Sequence, residues 1–334
     1  HPEYRRQRQM CIRDRDLTDE DLIKQEDMVV TISHLGYAKT QSLEVYRSQR
    51  RGGVGKTAAS VKDEDFVEQL IVANTHSTLL CFSNLGKVYW LKVYQIPAAS
   101  RVAKGRPLIN LINLDEGERI TSLLNVESFE EPGFVFMATK KGVVKKTSLD
   151  EFKRQWKVGK RAIKLDPDDE LVGSTLTDGE KFIMLVSQSG KAVFFDEKEA
   201  RSMGRAARGV KGINLGKDDQ VISLLVPEKE NTIFTVSENG YGKRTNVDDF
   251  RKTRRGAKGV IAMQTSDRNG LLIGANQVIE DQEIMLISNK GTLVRTKVDQ
   301  INVIGRNTQG VTVIKLKDSE KLVGLASIIE DTDD

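Results

Sequence analysis

The sequence predicts an all-β protein in which six similar units form a bladed, radially closed array. Three observations predict this fold class. A Ser/Thr-x-x-Gly turn recurs along the chain, a second glycine follows each turn at a nearly constant distance, and no long segment has sustained helical periodicity. The turn glycines lie 48 to 56 residues apart in the 334-residue chain, and such regular recurrence indicates a structural repeat. They are Gly36, Gly86, Gly142, Gly190, Gly240 and Gly291.

Each of these turns lies between two apolar runs that alternate as β-strands do. In the second unit, residues 79–82 precede Gly86 and residues 88–91 follow it. A glycine supplies the positive φ that a tight hairpin turn requires. The pattern therefore predicts one β-hairpin per unit.

Two further segments complete each unit. A second glycine follows the turn by 17 or 19 residues and leads into another apolar alternation, and a fourth apolar segment closes the unit. Four strands in about 50 residues, repeated six times, are typical of radially repeated β-folds. Short helices are predicted at residues 63–70 and 148–152. The second glycines are Gly53, Gly105, Gly159, Gly209, Gly259 and Gly310.

The repeat also defines the domain organisation. The six units are expected to form one domain over residues 21–330, with blades at roughly 21–75, 76–128, 129–178, 179–228, 229–280 and 281–330. Residues 1–20 are basic, lack strand periodicity and are interpreted as a disordered or extraneous leader. Residues 331–334 look like the start of an acidic tail. The acidic turns between units, such as residues 115–118 and 166–170, are expected to be solvated.

Composition limits the classes of function. The chain has 52 Lys and Arg against 48 Asp and Glu, so affinity for nucleic acid has to arise from the placement of charge. No apolar run approaches the ~20 residues of a membrane helix. The two cysteines, Cys11 and Cys81, and three scattered histidines form neither a disulfide framework nor a metal-ligand spacing. These features predict a cytoplasmic protein without a metal site.

The first unit differs from the others at its second glycine, where the chain is rich in glycine and arginine. One interpretation is a phosphate-binding loop for a nucleotide, because Gly55, Lys56 and Thr57 follow two further glycines. The pattern G-x-x-x-x-G-K-[ST] fails, since Arg50 occupies its first position. The preceding residues 44–49 are also too polar for the buried strand that such a loop follows.

The second interpretation is a loop that binds the DNA backbone. Closely spaced glycines let the main chain approach a phosphate, and arginine can bind phosphate oxygens through two nitrogens. Arg47, Arg50, Arg51 and Lys56 place four cations within ten residues. Nothing here requires contacts with base edges, so the binding is expected to be largely independent of DNA sequence.

The other units have basic residues at the equivalent place. Equivalent positions in a radial array lie around one circumference, so these residues predict a basic belt along which DNA can bend. The predicted rim residues are Arg47, Lys56, Arg101, Lys104, Arg106, Lys157, Lys160, Arg161, Arg205, Arg208, Lys211, Arg254, Arg255, Lys258 and Arg306. Aromatic residues are few and lie in strand-like runs, which favours core packing over base stacking.

The glycine-arginine loop fits the pattern Q-R-R-G-G-x-G at every fixed position. It resembles the GyrA box, the signature of the C-terminal domain of the DNA gyrase A protein, and the flanking residues 26–37 and 72–76 match that family too. The resemblance covers roughly residues 17–330. The related subunit of topoisomerase IV usually lacks an intact box. The residues of the box are Gln49, Arg50, Arg51, Gly52, Gly53, Val54 and Gly55.

The resemblance implies a six-bladed β-pinwheel that binds duplex DNA on its rim and supports negative supercoiling by DNA gyrase, a type IIA topoisomerase. It implies partners in an A2B2 holoenzyme, namely the gyrase B protein together with the N-terminal part of the gyrase A protein. The isolated domain is expected to be monomeric and nucleoid-associated. No catalytic residue and no cofactor are expected here, since ATP and Mg²⁺ belong to other domains of the holoenzyme. The alternatives are the DNA-binding domain of the topoisomerase IV subunit, a propeller-like protein-interaction scaffold and an ATPase.

Overall fold

The structure, a computed structural model, describes residues 19–33, 35–43, 67–100, 103–290, 292–317 and 319–328. These residues form short β-strands joined by turns and by 3-10 helices of three or four residues. The strands, in chain order, are β1 Asp27–Ser33, β2 Tyr37–Ser42, β3 Val67–Asn74, β4 Thr78–Ser83, β5 Lys87–Lys92, β6 Arg106–Pro107, β7 Ile120–Val126, β8 Phe134–Thr139, β9 Val143–Ser148, β10 Lys160–Arg161, β11 Leu171–Thr177, β12 Phe182–Ser187, β13 Lys191–Asp196, β14 Val210–Lys211, β15 Val221–Leu225, β16 Thr232–Ser237, β17 Tyr241–Asn246, β18 Val260–Ile261, β19 Leu272–Val278, β20 Glu283–Ser288, β21 Leu293–Lys297, β22 Val311–Thr312 and β23 Leu322–Ile328.

The strands form six antiparallel sheets, and the predicted fold class is confirmed. Each sheet has a hairpin at its centre and the long closing strand of the same unit on one side. The sheet orders are β3-β1-β2-β6, β10-β5-β4-β7, β11-β8-β9-β14, β15-β12-β13-β18, β19-β16-β17-β22 and β21-β20-β23. From β7 onward the closing strands lie beside one another in sequence order, and β23 contacts β3, which brings the sixth blade against the first.

The fourth strand of each complete sheet comes from the following unit. The two-residue strand β6 of the second unit pairs with β2 of the first, and β10 of the third unit pairs with β5 of the second. The same exchange repeats with β14, β18 and β22. The segment after the second glycine therefore crosses to the outer edge of the preceding blade, which the repeat pattern alone does not reveal.

The hydrophobic core lies between neighbouring blades. All six residues of β4 are buried, because one face of this strand packs on the first blade and the other face packs on the third. Leu79 and Cys81 belong to the cluster shared with the first blade, whereas Leu80 and Phe82 belong to the cluster shared with the third. Burial on both faces explains why the central hairpins read as nearly continuous apolar runs.

The recurring turn motif has a direct structural cause. In the five turns whose glycine is described, that glycine has φ between 71° and 82°, which a side chain would strain. At the Ser or Thr that ends the first hairpin strand, the register against the closing strand shifts, and the hydroxyl accepts a main-chain hydrogen bond from the other side of the turn. Ser33 Oγ accepts a hydrogen bond from the Tyr37 N–H at 3.1 Å, and Thr139 Oγ1 accepts one from Val143 N–H at 3.2 Å.

Two local expectations change. Residues 67–70 of the helix predicted at 63–70 belong to strand β3, whereas residues 149–152 do form a 3-10 helix. Residues 19 and 20, assigned to the leader, form a 3-10 turn with Asp21 and Leu22. Glu20 there pairs with Lys92 across 2.9 Å. The remainder of the leader lies outside the described residues.

The acidic turns are only partly solvated. The Glu118 side chain is fully buried, accepting hydrogen bonds from the Tyr89 hydroxyl at 2.7 Å and the Asp115 N–H at 2.9 Å. Asp169 is buried as well and accepts from the Lys141 N–H at 2.9 Å. The expectation of solvated turns is therefore wrong at these two residues, because each carboxylate satisfies main-chain donors in a turn.

Candidate nucleic-acid interface

The predicted rim residues that the structure describes lie on or beside the exchanged strands at the outer edge of the blades. We call these segments the rim belt: residues 103–107, 157–164, 205–214, 254–264 and 305–312. A two-residue strand supports each segment, at the edge of the sheet opposite the closing strand. The exchange of strands thus places one basic segment on the outer edge of each blade from the first to the fifth.

Most of the described rim cations are exposed to solvent. The exposed residues are Lys104, Arg106, Lys157, Arg161, Arg208, Lys211, Arg254 and Lys258. Lys160, Arg205, Arg255 and Arg306 are half-buried. The box residues Gln49, Arg50, Arg51, Gly52, Gly53, Val54 and Gly55 lie outside the described residues, as do Arg47, Lys56 and Arg101.

Main-chain hydrogen bonds join successive segments of the rim belt. The N–H groups of Lys164, Asn214 and Gln264 donate to the carbonyl oxygens of Ala207, Ala257 and Thr308 at 3.1, 2.9 and 2.9 Å. These three bonds are equivalent in the repeat, since each joins the segment of one unit to that of the next. The belt is therefore continuous from the third unit to the sixth.

Three rim arginines reinforce the same junctions. Arg208 forms an ion pair with Asp166, which lies just beyond the end of the preceding segment. Arg255 Nη1 donates to the Lys211 carbonyl at 2.5 Å, and Arg306 Nη1 donates to the Ile261 carbonyl at 3.0 Å. These guanidinium groups hold neighbouring segments together, so the exposed cations between them are better placed to meet phosphates.

A basic run at residues 153–161, at the start of the second rim segment, contains a tryptophan that the sequence did not single out. The Arg154 guanidinium carbon lies 4.1 Å from the centre of the Trp156 ring, and the Lys160 ammonium nitrogen lies 4.2 Å from it. Cation-π contacts of this kind orient charged side chains. The signal available in the sequence was the position of Trp156 between Arg154 and Lys157, in a run of cations.

Two buried lysines support the rim belt from below. Lys145 and Lys243 are fully buried. Burial, together with the nearby positive charge of Arg205, lowers the pKa of Lys145 to about 7, while Glu151 acts in the opposite direction. Burial and the charge of Arg306 lower the pKa of Lys243 to about 8. Neither lysine was a predicted site residue, because a lysine in an alternating strand is normally taken to face solvent.

Other kinds of site find little support in the part of the chain that the structure covers. Within it, no three His, Cys, Asp or Glu side chains are grouped closely enough to hold a metal ion. No helix among the described residues is both long and apolar enough to cross a membrane. Cys81 is buried, and burial raises the pKa of its thiol to about 12, as expected of a core residue.

The chain is similar to proteins of one kind in both sequence and shape. A family model described as "DNA gyrase C-terminal domain, beta-propeller" matches it six times, at residues 27–74, 77–127, 133–178, 181–228, 231–278 and 282–329. The DNA gyrase A protein of Salmonella typhimurium is 51% identical over 319 residues, which are 96% of this chain and 36% of that protein. The chain thus spans little more than a third of the length of this curated relative.

Solved structures give the same assignment of fold. The crystal structure of the C-terminal domain of DNA topoisomerase IV superposes with a TM-score of 0.80 at 28% identity, covering 92% of this chain and 94% of that one. A structure of the DNA gyrase A C-terminal domain superposes with a TM-score of 0.69 at 27% identity, covering 91% of this chain and all of that one. Shape alone does not separate these two relatives, whereas the sequence matches do.

Proposed function

The chain belongs to the DNA gyrase C-terminal domain family, and on that premise we propose that it binds duplex DNA along its outer rim and bends the DNA around itself. The continuous rim belt carries this proposal. Bending a site of 20–30 base pairs costs on the order of 1–6 kcal/mol, and cations on the inner side of the bend offset that cost by neutralising phosphates. Eight exposed rim cations follow the outer edges of successive blades.

The proposed contact is with the DNA backbone and is largely independent of sequence. Exposed lysine and arginine side chains reach phosphates without presenting a fixed set of donors to base edges. The core aromatic residues, such as Phe82 and Phe136, are buried between blades and are not accessible for base stacking. In the proposal, the box at residues 49–55 adds a dense phosphate contact that gives the wrap its hand and supports negative supercoiling.

The rest of the proposal concerns the whole enzyme. This domain is proposed to be non-catalytic and to act within an A2B2 assembly that also contains the gyrase B protein and the N-terminal part of the gyrase A protein. ATP and Mg²⁺ would be bound by those other parts. The assembly would work on chromosomal DNA in the bacterial cytoplasm. A topoisomerase IV role is the less favoured alternative, because the relatives of high identity are gyrase proteins.

The affinity of the 334-residue chain for a duplex, measured from 50 to 300 mM salt, tests the proposal. If each of the seven exposed rim cations other than Arg208, which is paired with Asp166, neutralises one phosphate, the plot of log affinity against log salt has a slope on the order of −6. A flat response, or no binding, would contradict DNA wrapping and favour a protein-interaction scaffold. Measurable ATP affinity would instead revive the nucleotide-loop interpretation.

The handedness of the wrap needs a second measurement. Covalently closed, relaxed plasmid is incubated with the chain and treated with a type I topoisomerase. The protein is then removed, and the linking number of the plasmid is measured. A change of consistent sign is expected when DNA wraps with one hand. Unchanged linking number together with tight binding would leave the chain a DNA-binding domain that does not wrap.

A further inference from the structure

A lysine occurs at the same place in every second blade. It is the third residue after the turn glycine, on the second strand of the hairpin, and it is present in the first, third and fifth units. These residues are Lys39, Lys145 and Lys243. In the described blades the second strand borders the exchanged strand, so its side chains lie directly beneath the rim belt.

All three lysines donate hydrogen bonds to main-chain carbonyls of the rim belt or its immediate approach. Lys39 Nζ donates to the carbonyl oxygens of Ser100 and Ala103 at 3.3 and 2.8 Å. Lys145 Nζ donates to the carbonyl of Arg205 at 2.6 Å and to that of Ala162 at 2.5 Å. One amino group thereby connects two successive segments of the belt.

Lys243 makes the fullest set of contacts. Its Nζ donates to the Gly305 carbonyl at 2.8 Å, to the Arg306 carbonyl, and to Thr308 Oγ1 at 3.1 Å. An ammonium group has three N–H donors, and three acceptors surround it here. Arg306 is a half-buried rim cation whose guanidinium is bonded to the Ile261 carbonyl, so the lysine fixes the main chain at a residue that joins the last two segments of the belt.

The alternate blades anchor their loops by packing instead. At the equivalent place in the second blade, the Tyr89 ring lies where a Cβ on Gly159 would stand, with ring atoms 2.4 to 2.7 Å from that point. In the fourth blade, Val193 lies 3.3 Å from the corresponding point at Gly259. In the alternate blades this position on the second strand carries no amino group: it is Tyr89 in the second blade and Val193 in the fourth.

We propose that Lys39, Lys145 and Lys243 are positioning residues for DNA binding: their amino groups fix the main chain of the rim belt so that its cations face the phosphates. This inference rests on the proposed function. Burying a lysine side chain costs solvation free energy, which hydrogen bonds to the amino group offset. Here those bonds go to the rim belt or its immediate approach and not to the strands of the lysine's own hairpin. The acceptors include the main-chain carbonyls of Arg205 and Arg306 themselves. Fixing the main chain at these residues also fixes the direction in which each arginine side chain projects.

The test compares Lys145→Met and Lys243→Met with Lys146→Met. Methionine keeps the apolar stem and removes the donors. Lys146 serves as the control, because it is buried on the same strand as Lys145 and its amino group contacts Glu197, outside the rim belt, donating to the carbonyl at 3.1 Å and pairing with the carboxylate at 3.8 Å. All three variants should lose stability, whereas the first two should also lose phosphate contacts.

The decisive measurement is the salt dependence of duplex binding by the 334-residue chain, well below the melting temperature. For Lys145→Met and Lys243→Met we expect a slope shallower by about one to two units and affinity weaker by roughly tenfold. The Lys146→Met slope should equal that of the wild type. If Lys145→Met and Lys243→Met both kept the wild-type slope, the positioning role would be overturned and the DNA-wrapping proposal would be left intact. A wild-type protein without salt-dependent binding would overturn the proposed function, and this inference with it.

Hydrogen exchange gives a readout that does not depend on DNA. In Lys243→Met, amides of residues 303–309 should exchange faster than in the wild type, while those of residues 203–208 should not change. Unchanged exchange at residues 303–309 would overturn the inference directly. This measurement also decides the matter if Lys145→Met fails to fold, since Lys243 lies in a different blade.

Discussion

Arg255 donates a hydrogen bond from Nη1 to the carbonyl oxygen of Lys211 at 2.5 Å, which joins the rim segment of the fifth unit to that of the fourth. Its Nε also donates to the Glu199 carbonyl at 3.1 Å. Arg254, its neighbour, is exposed. Of these two adjacent arginines, Arg255 forms hydrogen bonds to the fourth unit, whereas Arg254 faces solvent.

This difference predicts that two neighbouring substitutions affect different quantities, stability for Arg255 and DNA binding for Arg254. Arg255→Met removes two hydrogen bonds to the fourth unit, those to the Lys211 and Glu199 carbonyls, and should lower the free energy of unfolding by about 1 kcal/mol. Arg254→Ala should change it by less than about 0.5 kcal/mol but should make the salt slope of DNA binding shallower by about one unit. Urea unfolding and duplex titration measure the two quantities. Equal stability losses in both variants would contradict the division of tasks.

Gly159 is expected to tolerate no side chain. A Cβ there would lie 2.4 Å from the Tyr89 ring, so Gly159→Ala must displace the ring or the loop and should cost about 1–3 kcal/mol. Gly204→Ala is the matched control in the next rim loop, because no atom lies within 4 Å of its Cβ position. Thermal melts compare them. A Gly159→Ala protein as stable as Gly204→Ala would show that the contact with Tyr89 is not tight.

The depressed pKa of Lys145 predicts a pH dependence of stability. Below pH 7 the amine is protonated in both states, and the folded protein bears the cost of a buried charge. Between the folded pKa of about 7 and the ordinary value of 10.5, the unfolded chain holds a proton that the folded chain lacks. The free energy of unfolding should therefore rise with pH, by about 2 kcal/mol from pH 7 to pH 9.

Lys145→Met provides the reference for that prediction. The variant lacks the titrating group, so the difference in free energy of unfolding between wild type and variant should change over this pH range in favour of the wild type. The neutral amine still has two N–H donors for the carbonyls of Ala162 and Arg205, so its bonds can persist after deprotonation. A difference that is constant from pH 7 to pH 9 would mean that Lys145 titrates near its ordinary pKa.

The box gives a prediction that separates wrapping from binding. Replacing Arg50 and Arg51 by Ala should reduce the linking-number change of closed plasmid more than it reduces duplex affinity, because the other rim cations remain. The control is Lys157→Ala combined with Arg161→Ala, which removes two exposed cations from another blade. If both double variants lose affinity and linking-number change in the same proportion, the box is an ordinary phosphate contact.

Much of the fold could be predicted because its defining interactions are local. The Ser/Thr-x-x-Gly turn needs a positive φ at the glycine and a hydroxyl at the first residue, and both leave their mark within five residues of sequence. The strand exchange left no such mark, because β6 pairs with β2 across more than 60 residues. The helix predicted at residues 63–70 was wrong over 67–70 for a related reason, since the long-range pairing of β3 with β1 overrides the local pattern.

The candidate site was predictable where it consists of exposed charge and was missed where charge is buried. Lys104 and Lys258 lie on the rim, as their repeat positions suggest. Lys145 and Lys243 carry the same charge on alternating strands, yet they are buried because the exchanged segment covers that face. A single strand cannot show whether its polar face will be covered by a segment from the next unit. The same limit applied to Glu118, whose burial depends on a partner 29 residues away, Tyr89.

The exchange of strands has a mechanical consequence. Any pull that bound DNA exerts on a rim segment acts on a piece of chain that belongs to one unit but is hydrogen-bonded into the blade of another, as Arg106 is bonded into the first blade. The load is divided between two consecutive units, and the bonds between Gln264 and Thr308 and their equivalents pass part of it further around the ring. Tension on the rim is therefore carried by the assembly of blades, so no single blade has to resist it alone.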